Sequence, residues 1–329
     1  MSSGRLGICL LNISEARNRL ILENVAQAAT RSTGGSPGIL SSVLNIFQDI
    51  DYNRSVLTIA APINHLKAAV CGACKEAYRQ IDLSKQEGVH PRLGAVDLIP
   101  IYPLMSSVSL KECGEIAHSI AEELSDEITG TSFFLFGSAD WPEQRGLVPR
   151  RKAVGWFKGK HGIDWSKFSH DLGAPPSSRY GLTGCGASHY VTNCNVTIDT
   201  QDLAFGQEIV HAIRATTPGG LPGVQAMAFP HEGTIEIACN VASLPKHDQS
   251  AGGNASNDDT TKEHCPLVLD YTSPETIEQR VKDLAGQKGI RMVGTTLIGF
   301  RPEEACKLAI DALQSGNNQL WKSRGVRLM

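Results

Sequence analysis

The stretch 63-INHLKAAVCGACKEAYRQIDLSKQEGVHPRLGAVDLIPIYP-103 decides the fold. Residues 63–81 place apolar side chains at helical spacing, whereas 95–103 is an apolar run bounded by proline, which predicts a strand. Between them the polar run carries Gly88, Pro91 and Gly94, residue types that turn a chain and let backbone approach a ligand closely. Helix, short loop and buried strand together make half of a split β-α-β unit.

Upstream of that unit, periodicity predicts a strand at 6–13, a helix at 16–31 carrying Leu20, Val25, Ala28 and Ala29, and strands near 39–47 and 54–61. Downstream it predicts a helix at 109–125, announced by Ser109 three residues before Glu112, and a strand at 131–136. The basic stretch 144–162 and the Gly/Pro/Ser segment 173–181 read as loops. The pattern then resumes with a strand at 189–198, a helix at 201–214, strands at 223–229 and 234–241, a helix at 274–286, a strand at 291–299 and a helix at 303–314. Both halves therefore read β-α-β-β-α-β-α. The expected class is α/β (α+β), with two ferredoxin-like subdomains, 1–181 and 182–329, each a sheet with its helices on one face. The polar tract 245–266 reads as a disordered surface insertion in the second.

Composition narrows the function classes. A chain of 329 residues with 41% hydrophobic and 20% charged residues suits a globular protein of two domains. A formal net charge of −3 argues against a general nucleic-acid binder, because neutralising phosphates needs concentrated lysine and arginine. No apolar run reaches the roughly 18 residues that span a bilayer, and the start of the chain lacks a signal-peptide pattern. A cytoplasmic location with free thiols is the expectation for the nine cysteines. Cys71-Gly-Ala-Cys74 has the spacing of half a zinc site or a redox pair. No second pair completes four ligands, so it reads first as two small buried residues on a helix, and no metal is expected.

Several residues qualify for chemistry. His90 lies in the glycine-flanked loop with Arg92 and Asp97 nearby, and an imidazole there can act as acid or base near neutrality. Asp49 and Asp51 lack a histidine or third carboxylate and read as a solvated turn. Arg54 opens a strand, where its planar fork either holds a substrate carboxylate or pairs with Asp51. No phosphate-binding loop pattern and no G-x-S-x-G are present.

The segments 12-NISEAR-17, 53-NRSV-56, 81-IDLSKQEGVHPRLGAVDLIPIYP-103, 133-FFLFG-137, 193-NCNV-196, 224-VQAMAF-229 and 292-MVGTTLIGFRP-302 together resemble the formiminotransferase domain of formiminotransferase-cyclodeaminase. The resemblance implies a tetrahydrofolate-dependent transferase of a formimino or formyl group between glutamate and N5 of the folate, working as a homodimer without a metal. It implies that His90 is the acid/base group. It implies that Gly173, Ala174, Pro175, Pro176, Ser177, Ser178, Arg179, Tyr180 and Gly181 form the folate-binding segment, and that Asn12, Arg54, Arg92 and Asp97 bind substrate. A cyclodeaminase domain is not expected in this chain. Val89, Phe47 and Ser188 stand where the family carries polar residues. They keep open a non-catalytic folate-binding protein as an alternative, with a thiol or zinc protein built on Cys71 and Cys74 as a third reading.

Overall fold

The computed structural model describes residues 4–31, 40–88, 92–154, 168–245, 266–324 and 327–328. The chain forms two compact units. The first comprises 1–188, 259–267 and 303–329; the second comprises 189–258 and 268–302. The C-terminal stretch thus returns to the first unit.

In the first unit the elements run β1 (Leu6–Ile13), α1 (Arg19–Ala29), β2 (Ser42–Asp49), β3 (Arg54–Pro62), α2 (Ile63–Gln80), β4 (Val96–Pro103), α3 (Leu110–Glu127), β5 (Ser132–Gly137), α4 (Leu147–Ala153), β6 (Leu172–Gly173) and β7 (Thr183–Ala187). The second unit follows with β8 (Val191–Ile198), α5 (Leu203–Ile213), β9 (Val224–His231), β10 (Thr234–Ala242), β11 (Leu244–Pro245), β12 (Leu269–Asp270), α6 (Pro274–Gly286) and β13 (Met292–Ile298). Then come α7 (Pro302–Ser315), α8 (Leu320–Arg324) and β14 (Arg327–Leu328).

Both main sheets contain the split β-α-β order. The first runs β14-β2-β3-β1-β4-β7-β5-β6, with an antiparallel β2-β3-β1-β4 centre extended by β7 and β5, which lie parallel to β4. The second runs β13-β8-β10-β9, antiparallel throughout. In each, the first and third strands of the motif are central and the second and fourth flank them. The mixed α/β reading with two ferredoxin-like sheets is what the chain adopts.

Helices α1, α2 and α3 form one layer against the first sheet, and α5 and α6 do the same against the second. A Cβ on Gly7 would meet Ile63 and Leu66 of α2 at 2.8 and 2.9 Å, so the odd-numbered residues of β1 face the helices. Cys9, Leu11 and Ile13 therefore share the core with α2, while Leu10 and Asn12 point to the opposite face. In the second unit Val196, Ile198, Phe205, Ile209, Ile237 and Val281 meet between sheet and helices.

Local chemistry sets the helix starts. The α1 helix opens at Arg19 rather than at 16, because Asn18 takes the cap position and its side chain accepts from the backbone of Leu20 and Ile21. Ser109 caps α3 by accepting from Glu112 N at 3.1 Å, as its spacing predicts. One element departs from the loop readings, and another falls where periodicity predicts no element. Residues 147–153 form α4, and the glycine-rich 183-TGCGA-187 forms β7 between β4 and β5. Residues 246–265 of the expected insertion lie outside the described residues.

Candidate functional site

Three of the motif segments converge at one end of the first sheet. Asn53, at a left-handed φ of 49°, accepts from Ala16 N through Oδ1 at 2.9 Å. Its Nδ2 donates to Gln86 Oε1 at 2.5 Å and to the Glu87 carbonyl at 3.1 Å. Glu15 closes the same knot. Its Oε1 accepts from Arg17 N and Asn18 N, and its Oε2 accepts from Gln86 Nε2 at 2.9 Å. Ser14 Oγ donates to Gly94 O, and Ser55 Oγ donates to Glu15 O. Residues 12–18, 53–55, 86–87 and Gly94 are thereby cross-linked by hydrogen bonds that satisfy otherwise buried backbone groups. An open cavity of about 590 Å³ lies here, lined by Glu15, Arg17, Asn18, Asn53, Gln86 and Glu87 among others.

Beside this knot, on the sheet face away from the helices, a buried carboxylate collects cations. Asp97 Oδ1 accepts from Leu93 N at 2.8 Å and from Gly94 N at 3.4 Å. Its Oδ2 lies 3.7 Å from Arg54 Nη2 and 3.6 Å from Arg151 Nη2. Arg54 Nη2 also donates to Asn12 Oδ1 at 2.5 Å. Arg54 is thus joined to Asn12 and Asp97. Asn12, Arg54 and Asp97 are therefore one cluster. Arg92 holds the turn beside it, donating through Nη1 to the carbonyls of Tyr52 and Asn53.

Electrostatics follow from the burial. Loss of water pushes the Arg151 guanidinium down to about 10, against which the Asp97 carboxylate favours its charge. Burial likewise lowers Arg92, again countered by Asp97. The cluster sets two guanidiniums, Arg54 and Arg151, against the one carboxylate of Asp97, a balance that suits a carboxylate-bearing ligand.

The Gly/Pro/Ser segment runs alongside. Gly94 and Gly181 form an antiparallel bridge, Ala95 N donates to Tyr180 O at 2.9 Å, and Leu182 N donates to Leu93 O at 2.7 Å. At the other end Leu83 N donates to Arg179 O at 2.8 Å, and Arg179 Nη1 lies 3.8 Å from Asp82. The segment 173–181 is thus tied to both sides of the loop that carries His90. His90 itself, with Val89 and Pro91, lies outside the described residues; Gly88 and Arg92 flank it. Gly88 is a site of close approach, since a Cβ there would stand 2.3 Å from the Tyr52 carbonyl oxygen.

Arg151 is the member of this cluster that sequence reasoning missed. The signal was 149-PRRK-152, which reads as a solvated basic run but folds as one turn of helix with Arg150 and Arg151 both turned inward. Arg150 donates to Leu135 O at 2.8 Å and pairs with Asp171.

Cys71 and Cys74 sit on the buried face of α2 as free thiols. Burial pushes Cys71 up to about 12 and Cys74 well above its ordinary value. Among the described residues no group of three or more His, Cys, Asp or Glu side chains could hold a metal ion.

The formiminotransferase domain N-terminal subdomain model matches residues 6–188, which hold every one of these contacts. The chain belongs to the formiminotransferase family. It is 34% identical to a formiminotransferase cyclodeaminase-like protein of Arabidopsis thaliana over 72% of this chain and 82% of that protein. It is 29% identical to a glutamate formimidoyltransferase of Streptococcus pyogenes over 90% of this chain and 89% of that protein. It is also 27% identical to the formimidoyltransferase-cyclodeaminase of Gallus gallus, over 71% of this chain but 43% of that longer protein. Similarity to the streptococcal enzyme extends past residue 188 and so takes in the second unit as well as the first.

Proposed function

We propose that this chain transfers a one-carbon unit, formimidoyl or formyl, between a glutamate derivative and N5 of tetrahydrofolate. The observation that carries the reading is the convergence of the family's motif segments on the Asn12–Arg54–Asp97–Arg151 cluster. The similarity to a glutamate formimidoyltransferase over nine-tenths of both chains supports it.

The residues divide the work by their chemistry. Guanidiniums on a buried carboxylate hold fixed directions, so Arg54 and Arg151 orient the carboxylates of the glutamate portion. Segment 173–181 binds the folate, with Arg179 and Tyr180 supplying a cation and a ring face, stacked 5.2 Å apart. His90 takes the proton from N5 as the new N5–carbon bond forms, then hands it to the glutamate nitrogen as the old carbon–nitrogen bond breaks. Asp97 positions the two guanidiniums. No metal is needed in this scheme.

We take the protein to be cytoplasmic and homodimeric. The described helices include none long and apolar enough to cross a membrane. Sedimentation of the purified protein tests the dimer. Incubation with tetrahydrofolate and N-formimidoyl-L-glutamate, or N-formyl-L-glutamate, tests the activity; release of glutamate dependent on both substrates is expected, and absence of release with either donor contradicts the reading.

A further inference from the structure

Buried polar side chains are normally satisfied, so one that is not marks a place where something else belongs. Asn45 is such a residue. It is 2% exposed, and neither Nδ2 nor Oδ1 has a hydrogen-bond partner among the described residues. Its cross-strand partner Thr58 is fully buried, and the Thr58 hydroxyl is likewise unpartnered.

The register places both residues. Thr58 pairs with Leu10, on the face of β1 opposite α2, and Asn45 pairs with Thr58. One step along the same face lie Phe47, Val56 and Asn12, the last being the acceptor of the Arg54 guanidinium. The orphaned pair therefore stands on the sheet face that carries the cationic cluster.

Chemistry narrows the ligand. A carboxamide offers one donor and one acceptor in a plane and carries no charge, and the neighbouring threonine adds a hydroxyl that serves either way. The complementary group is a neutral planar –NH–C(=O)– edge, because a cation leaves Nδ2 facing a donor and a carboxylate leaves Oδ1 facing an acceptor. Phe47 beside Asn45 brings no countercharge.

Resting on the transferase reading above, we propose that Asn45 and Thr58 form a ligand-reading pair for a neutral amide edge, and so bias the site toward uncharged over cationic groups. Two sources carry that edge: the pyrimidinone ring of the folate, where the ring holds N–H and C=O side by side, and the formamide of N-formylglutamate in its cis rotamer.

The test uses the full chain and the near-isosteric variants Asn45→Leu and Thr58→Val. Ligand-free melting comes first: both variants should melt at or above the wild-type temperature, and a clear drop in both would mean that the pair serves the fold and would overturn the assignment. Titration calorimetry then follows tetrahydrofolate alone and N-formyl-L-glutamate alone. Asn45→Leu should weaken one of them by about tenfold, which identifies the source of the edge. If the formyl donor is the ligand that Asn45→Leu weakens, Asn45→Asp should shift the preference toward N-formimidoyl-L-glutamate over the formyl donor by about tenfold; if tetrahydrofolate is, Asn45→Asp should weaken tetrahydrofolate by a similar factor. Unchanged affinity for both ligands in Asn45→Leu overturns the pair while leaving the transferase reading in place. If the wild type binds none of these ligands, the transferase reading fails and takes the assignment with it, which the wild-type titration alone reveals.

Discussion

Gly94 and Gly181 are bridged antiparallel, and Gly181 adopts a left-handed φ of 68° to make the bridge. This contact fastens the candidate folate segment to the loop that leads to His90. A Cβ on Gly181 would lie 1.8 Å from the Leu93 carbonyl oxygen. Gly181→Ala combines that clash with a disfavoured backbone, and is expected to cost about 2–3 kcal/mol and to weaken folate binding. Denaturant unfolding and calorimetric titration of the same preparation check both effects.

Asp97 stands between Arg54 and Arg151, both within 4 Å of one oxygen. Asp97→Asn leaves the buried Arg151 and the half-buried Arg54 guanidiniums without their shared countercharge, and a loss of about 3 kcal/mol in unfolding free energy is expected. Arg151→Met relieves part of that repulsion, so the double variant should be more stable than Asp97→Asn alone. A double-mutant cycle in urea measures the coupling.

The eight described cysteines are all buried and free, and burial raises every one of their thiols, Cys113 and Cys194 to about 12 and Cys306 to about 11. The thiolate is the reactive form, so alkylation of these eight at pH 8 should be very slow in the native protein and rapid in guanidinium. Mass spectrometry of the labelled peptides reads the result; fast native modification of Cys71 or Cys74 would restore the thiol reading of that pair.

Burial alone would raise the Asp140 carboxyl, but hydrogen bonds from the Arg145 side chain and backbone hold it below its ordinary value. A depressed carboxylate contributes stability that is present above its unfolded pKa and is lost as pH falls through the folded one. The stability difference between wild type and Asp140→Asn should therefore be constant near neutrality and shrink below about pH 4. Thermal melts across that range test the sign.

Much of the fold is legible in the chain because its periodicities are strong: the order strand, helix, two strands, helix, strand recurs in both halves and both sheets follow it. β7 was not legible, since glycines in 183-TGCGA-187 argue against a strand. The sheet needs them because a Cβ on Gly184 would meet Phe134 at 2.6 Å and Leu98 at 2.8 Å, a constraint that only the tertiary packing reveals. At the site, Asn12, Arg54 and Asp97 could be named from motif resemblance. Arg151 and Asn45 could not, for their roles depend on the inward turn of a basic run and on a cross-strand register, neither of which local pattern encodes.

The central claim is that His90 moves the proton in a folate-dependent transfer, and His90→Ala measures it most directly. Single-turnover transfer from N-formimidoyl-L-glutamate, or the formyl donor, to tetrahydrofolate should fall by about 10²–10⁴-fold in the variant, with folate affinity within a few-fold of wild type. Transfer at the wild-type rate in His90→Ala would contradict the account.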